Sequence, residues 1–241
     1  MMFEKFRSTV VWEWLSDQYH WHLADKINRG IDYIAKPFRE KKNISGKGNR
    51  MFLNTNRIKS VRYIIHGDNN LIEISAKSRF GKVSFEVIGD FNHVLIHDEA
   101  FIEGASFHLI GDYSRIEIGK GTYVAGAAFI AAESRTRIQL GECCMLANEI
   151  QIRTGDSHGI FDRATGARLN KGADIQIGNR VWLANRVIIL KGVTIPDGCI
   201  VGAGTIAAKS LDSPNAVYAG QPPRKVKENV EWRWGLETSS R

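Results

Sequence analysis

The chain has 241 residues, 43% of them hydrophobic and 24% charged, a balance that fits a folded soluble protein and excludes a disordered or collagen-like one. No window approaches 18 uncharged apolar residues, which excludes a spanning helix, and three cysteines without CxxC or Cys/His spacing exclude a disulfide framework. The net charge of +7 favours anionic partners such as phosphates or acidic glycans; no Arg/aromatic RNA-binding signature accompanies it, so nucleic acid is not expected.

Residues 1–42 carry helix-like spacing of large apolar residues: Phe3, Phe6, Val10 and Trp14, then Trp21, Ala24, Ile27, Ile31 and Ile34. Glu4, Arg7, Glu13 and Asp17 interrupt every apolar run, so no signal peptide is expected. With the cysteine usage, this suits a reducing cytoplasm. We expect a mostly helical segment that caps a repeat array, holds an oligomer together or, ranked third, makes peripheral contact with the inner face of the membrane through its basic and aromatic residues.

Residues 43–152 repeat. Ile74, Ile96, Ile118 and Leu140 lie 22 positions apart, and so do Ile72, Val94, Ile116 and Ile138. Gly67-Asp68-Asn69-Asn70, Gly89-Asp90-Phe91-Asn92 and Gly111-Asp112-Tyr113-Ser114 recur in step. Gly and Asn suit corners because they tolerate positive φ. Within each unit a six-residue step runs through Ile96, Ile102 and His108, then Ile118, Val124 and Ile130, then Leu140, Leu146 and Ile152. This predicts one coil per unit, with a four-residue extension at one corner.

Residues 153–174 break the register and predict a loop. From 175 to 210 the repeat tightens: Ile177, Leu183, Ile189, Ile195, Val201 and Ala207 follow every six positions, each of the first five trailed four residues later by Val181, Val187, Val193, Cys199 or Thr205. Neither a helix period of 3.6 nor strict alternation fits. Short strands meeting at regular corners do, and stacked three-sided coils bury one aliphatic core. Cys144 and Cys199 fall on small inward slots, which predicts core positions rather than nucleophiles. Residues 211–241 leave the repeat through Pro214, Pro222 and Pro223.

A solenoid wall is monotonous, so its interruption is where chemistry is expected. The loop carries Gly155-Asp156-Ser157-His158-Gly159. This loop, the hexads, Ile177-Gly178-Asn179-Arg180-Val181-Trp182-Leu183, Val201-Gly202-Ala203-Gly204-Thr205 and Ala219-Gly220-Gln221-Pro222-Pro223-Arg224 together resemble the hexapeptide-repeat acyltransferases. The resemblance covers about residues 43–228 and is nearest to bacterial O-acetyltransferases of capsule or lipopolysaccharide sugars, including those of polysialic acid.

The resemblance implies an all-β, left-handed parallel β-helix assembled as a homotrimer, with active sites between subunits. It implies acetyl-CoA as co-substrate, no required metal, and a sugar or polysaccharide acceptor, which the basic surface allows to be acidic. His158 is then the general base, since an imidazole can take a proton from a sugar hydroxyl near neutral pH. Asp156 either orients that ring or closes an Asx turn. Trp182 lines the cleft, the coenzyme A arm bonds the main chain near Ala203, and Lys209, Arg224 and Lys227 meet phosphates. Glu149 stands where galactoside-type relatives carry asparagine, which leaves the side-chain donor to the oxyanion open. Three alternatives remain: N-acetylation of an amino sugar nucleotide, a β-solenoid scaffold without activity, and a zinc hydratase.

Overall fold

The computed structural model describes residues 39–55 and 57–235. The segment expected to be helical, residues 1–38 of it, lies outside the described residues; its last positions already belong to a strand, Arg39–Ser45. Every regular element among the described residues is a β-strand, and all pairings are parallel except that of Val217–Ala219 with Arg224–Lys227 and the isolated bridge Phe161–Arg168.

The strands stack into three faces of a parallel β-solenoid. The first face holds Tyr123–Val124, Met145–Leu146, Trp182–Leu183, Ile200–Val201 and Val217–Ala219. The second holds Ala127–Ala131, Ile150–Arg153, Ile188–Ile189 and Ile206–Ala207. The third runs from Arg50–Leu53 through Leu71–Ile74, His93–Ile96, Arg115–Ile118, Arg137–Leu140 and Ile175–Ile177 to Thr194–Ile195. In the early coils, long strands such as Arg79–Ile88 and Phe101–Ile110 bend through the first two faces without a break.

The 22-residue period sets the register. Ile72, Val94, Ile116 and Ile138 are partners in successive coils, as are Ile74, Ile96, Ile118 and Leu140, and all eight are buried. Each such side chain contributes about 1.5–3 kcal/mol when fully buried. The hexad residues from Ile177 to Ala207 and the small slots from Val181 to Thr205 are buried too. Cys199 is among them, Cys144 is buried as well, and burial pushes the Cys144 thiol up to about 12.

The second face departs from the six-residue step. Phe107 and Phe129, not His108 and Ile130, point inward, one position earlier. The turn between first and second faces is one residue shorter in those coils, and a one-residue slip exchanges the faces of a strand. The inward residues then form a stacked ladder, Tyr63–Phe85–Phe107–Phe129, with ring centroids 5.0–5.5 Å apart. The solenoid also continues past Ser210: Leu211 is buried and Val217–Ala219 adds a strand to the first face.

The corner between second and third faces is a polar ladder. Asp68, Asp90 and Asp112 each accept, through Oδ1, the backbone N–H of the preceding coil at 2.7–2.8 Å. Asn49, Asn70 and Asn92 accept from the following coil and donate to its glycine carbonyl. These side-chain bonds join one coil to the next. Gly89 has φ +122°, and a Cβ there would lie 2.2 Å from the Gly111 carbonyl oxygen, which is why the motif requires glycine.

Candidate active site

In the coil that contains Arg137–Leu140, this same corner is replaced by the loop between Ile150–Arg153 and Ile175–Ile177. The corner copy just before it reads Glu133-Ser134-Arg135-Thr136, with glutamate where earlier copies have glycine. Glu133 accepts both Nη groups of Arg168 at 3.0 and 2.8 Å and the N–H of Gly172 at 2.8 Å, tying down the far arm of the loop. A bidentate pair of this kind fixes geometry as well as charge.

Asn170 organises the near arm. It is buried, donates from Nδ2 to Asp156 Oδ2 and to the His158 carbonyl, both at 2.8 Å, and accepts the Ile160 N–H at 2.6 Å. Lys191 donates to Asp156 Oδ2 and to the Asn170 carbonyl, the latter at 3.2 Å. The Lys191 ammonium first, and Asn170 second, hold the Asp156 carboxyl below its usual range. Arg153 donates to the Gly155 carbonyl at 2.9 Å and to Ser157 Oγ at 3.1 Å.

His158 therefore sits exposed on a loop whose backbone is pinned on both sides. Its ring makes no hydrogen bond among the described residues. Asp156 Oδ2 accepts from Lys191 and Asn170, and neither a bond to the His158 ring nor one to a backbone N–H is among its contacts with the described residues. Glu133, Arg168, Asn170 and Lys191 are the residues that sequence reasoning missed. The glycine-to-glutamate change at position 133, directly before the loop, was the available signal for the first.

The remaining expected residues divide into two groups. Ile188–Ile189 and Ile206–Ala207 are in register, so Lys209 occupies in the last coil the corner position of Lys191, beside the loop. Trp182, Arg224 and Lys227 belong instead to the first face and its antiparallel extension. Ala203 is exposed at the corner between first and second faces, where Gln221 Nε2 donates to the neighbouring Gly204 carbonyl at 2.6 Å. Glu149 is at that same corner type, ion-paired with Arg186 at 2.9 Å. In a three-sided coil the first face lies opposite the corner that bears His158, so one chain does not bring His158 and Trp182 together.

Trp182 is half-buried under the C-terminal tail. Its ring lies 6.3 Å from that of Trp232, which lies 5.7 Å from Trp234, and Trp234 meets Tyr123 edge-on at 5.4 Å. Trp232 donates to the Arg180 carbonyl at 2.6 Å. The Trp182 Nε1 is buried without a hydrogen-bond partner. Among the described residues, no three His, Cys, Asp or Glu side chains gather as a metal site, and no helix is long and apolar enough to cross a membrane.

The described residues thus form the parallel β-solenoid expected from the motifs, interrupted at one corner by the loop that bears His158. The chain is similar to polysialic acid O-acetyltransferases. It is 35% identical over 89 residues to the enzyme of that name from Escherichia coli O1:K1 / APEC, a match covering 37% of this chain and 29% of the relative. The chain thus aligns in sequence with well under half the length of the curated relatives it matches. Two crystal structures extend the likeness. The polySia-specific acetyltransferase NeuO superposes with a TM-score of 0.73 at 28% identity, over 84% of this chain and 92% of that one. The polysialic acid O-acetyltransferase OatWY superposes with a TM-score of 0.65 at 28% identity, over 85% and 94%. No family model matches the chain.

Proposed function

We propose that this protein transfers the acetyl group of acetyl-CoA to a hydroxyl of a bacterial surface glycan, with an acidic polymer of the polysialic type as acceptor. The observation that carries the reading is the near full-length likeness to two polysialic acid acetyltransferases, in a chain whose solenoid is interrupted by a pinned loop bearing an exposed histidine.

In the proposed reaction a ring nitrogen of His158 accepts the proton of the attacking hydroxyl. The hydroxyl oxygen forms a bond to the thioester carbonyl carbon, whose π electrons move to its oxygen. Collapse of that tetrahedral intermediate breaks the carbon–sulfur bond, and the departing sulfur takes the proton back from the imidazolium. The products are an acetyl ester and free coenzyme A. The oxyanion is held by backbone N–H groups of an exposed coil. Asp156 and Lys191 position the loop rather than exchange protons. Trp182 lines the acceptor or donor cleft, the coenzyme A arm runs past Ala203, and Lys209, Arg224 and Lys227 meet its phosphates.

Because His158 and Trp182 belong to opposite sides of one coil, the site is completed by a neighbouring copy, which fits a homotrimer. The test is subunit complementation. His158→Ala and Trp182→Ala chains, each inactive alone, are co-expressed with different tags and the mixed assembly is isolated. Acceptor-dependent release of coenzyme A thiol from the mixed assembly supports a shared site. Inactive mixed assemblies would contradict it. Release with amine acceptors but with no hydroxyl acceptor would move the reading to N-acetylation.

A further inference from the structure

Outside the residues already discussed, the corner between second and third faces carries a second set of side chains. Its left-handed position, occupied by Asn69 in one coil, holds Phe91, Tyr113 and Arg135 in the next three. These point outward and stack. The Phe91 and Tyr113 rings are 5.0 Å apart and within 6° of parallel, and the Arg135 guanidinium lies 5.5 Å from the Tyr113 centroid. Phe91 and Tyr113 are 47% and 54% exposed, although Asn69 shows that the corner closes without an aromatic ring.

Beside this ladder is an open cavity of about 290 Å³, lined among others by Phe91, Tyr113, Arg115, Arg135, Arg137 and Asp174. Three of these side chains are cationic and one is anionic. Arg115 is paired with Glu117 at 3.1 Å, but its Nε is buried without a partner. The side chains of Arg135 and Arg137 are exposed and have no ion pair among the described residues. The nearby carboxylates are engaged: Asp174 Oδ1 accepts the Arg137 N–H at 2.8 Å, Asp90 and Asp112 bond the preceding coils, and Glu73 pairs with His93 at 2.8 Å.

The ladder leads to the active-site loop. Asp174, the last loop residue before Ile175–Ile177, closes one side of the cavity. With coils about 4.8 Å apart, Phe91 stands three steps, roughly 14 Å, from the base of the loop. Flat aromatic faces suit the apolar side of a sugar ring, and arginines with free N–H groups suit carboxylates.

We propose that this edge is an extended subsite for an acidic polysaccharide, holding several sugar units of a chain whose end or neighbouring unit lies at His158. The inference rests on the reading of an acidic glycan as acceptor and adds the surface that selects polymer over short fragments. It also supplies a role for Phe91, Tyr113, Arg135 and Arg137, which the proposed reaction does not use.

The test is equilibrium binding of polysialic acid, of a disialyl fragment and of a neutral glucan of equal length, to the full native chain and to a Tyr113→Asn/Arg135→Asn/Arg137→Ala variant. Asparagine is chosen because Asn69 already fills the same corner position. The subsite predicts polymer binding weakened about tenfold or more, as expected from loss of charge-assisted hydrogen bonds, with a shallower salt dependence. Fragment binding, coenzyme A binding and sedimentation mass stay unchanged. Equal polymer affinity in the variant overturns the proposal. So does an equal loss of neutral glucan binding, or a changed mass, which would make the edge a contact between copies of the chain. If no acceptor supports thiol release yet the native chain binds the polymer and the variant does not, the transferase reading fails and the subsite stands.

Discussion

Replacing Asn170 with alanine isolates the device that holds the loop bearing His158. The amide makes three hydrogen bonds, to Asp156, to the His158 carbonyl and from the Ile160 N–H. At about 1 kcal/mol each, their loss removes roughly 3 kcal/mol of loop-ordering free energy. Since 1.36 kcal/mol is a factor of ten, the open loop becomes about 100-fold more populated. The core is untouched, because Asn170 packs at the base of the loop and not within the aliphatic column. Hydrogen exchange should therefore accelerate in residues 154–174 and stay slow in Ile116, Ile138 and Ile177. Turnover should fall with the ordered fraction while coenzyme A affinity holds. Unchanged loop exchange together with unchanged turnover would refute the idea that Asn170 positions His158.

Three further expectations concern the frame around that loop. Trp232→Ala removes a buried ring and its bond to Arg180; at about 3–5 kcal/mol for a buried tryptophan the tail detaches, and limited proteolysis near residue 228 with red-shifted Trp182 emission reports it. A tail that stays protected contradicts the stacking account. Gly89→Ala places a Cβ against the Gly111 carbonyl at a positive φ, costing about 2–4 kcal/mol and lowering the urea midpoint; an unchanged midpoint shows that the corner relaxes freely. The Asp156 carboxyl is depressed by Lys191 and Asn170. Its contribution to loop stability is complete above the unfolded value of roughly 3.9 and is lost as pH falls through the lower folded value. Loop protection should thus be flat from neutral pH to about 4, and a decline beginning near pH 6 would assign the loop's stability to a histidine instead.

Period was the most legible property of the sequence. The 22- and six-residue steps identify the inward residues of the third face and of the tight coils, because each strand offers one or two buried positions and the corners are uniform. The second face of the early coils was misread at His108 and Ile130, since the shortened turn leaves no composition signal. Only the register places Phe107 and Phe129 in the Tyr63–Phe85 ladder. The loop was legible as a break in period, and His158 as the one histidine in it. Its supports were not. Nothing in the sequence singles out Lys191 and Asn170, because their partnership with Asp156 spans 35 and 14 positions and depends on which corners face one another. The packing of Trp182 under Trp232 likewise joins residues that only the folded tail brings together.

His158 is the proposed base for acetyl transfer to a glycan hydroxyl. Its most direct test is coenzyme A thiol release from acetyl-CoA with polysialic acid, for the native chain and for His158→Ala, with coenzyme A binding measured in parallel. Acceptor-dependent release is expected in the native chain, with a loss of about 10²–10⁴-fold in the variant and coenzyme A still bound. Release that persists undiminished in His158→Ala would remove the histidine from the chemistry and contradict the account.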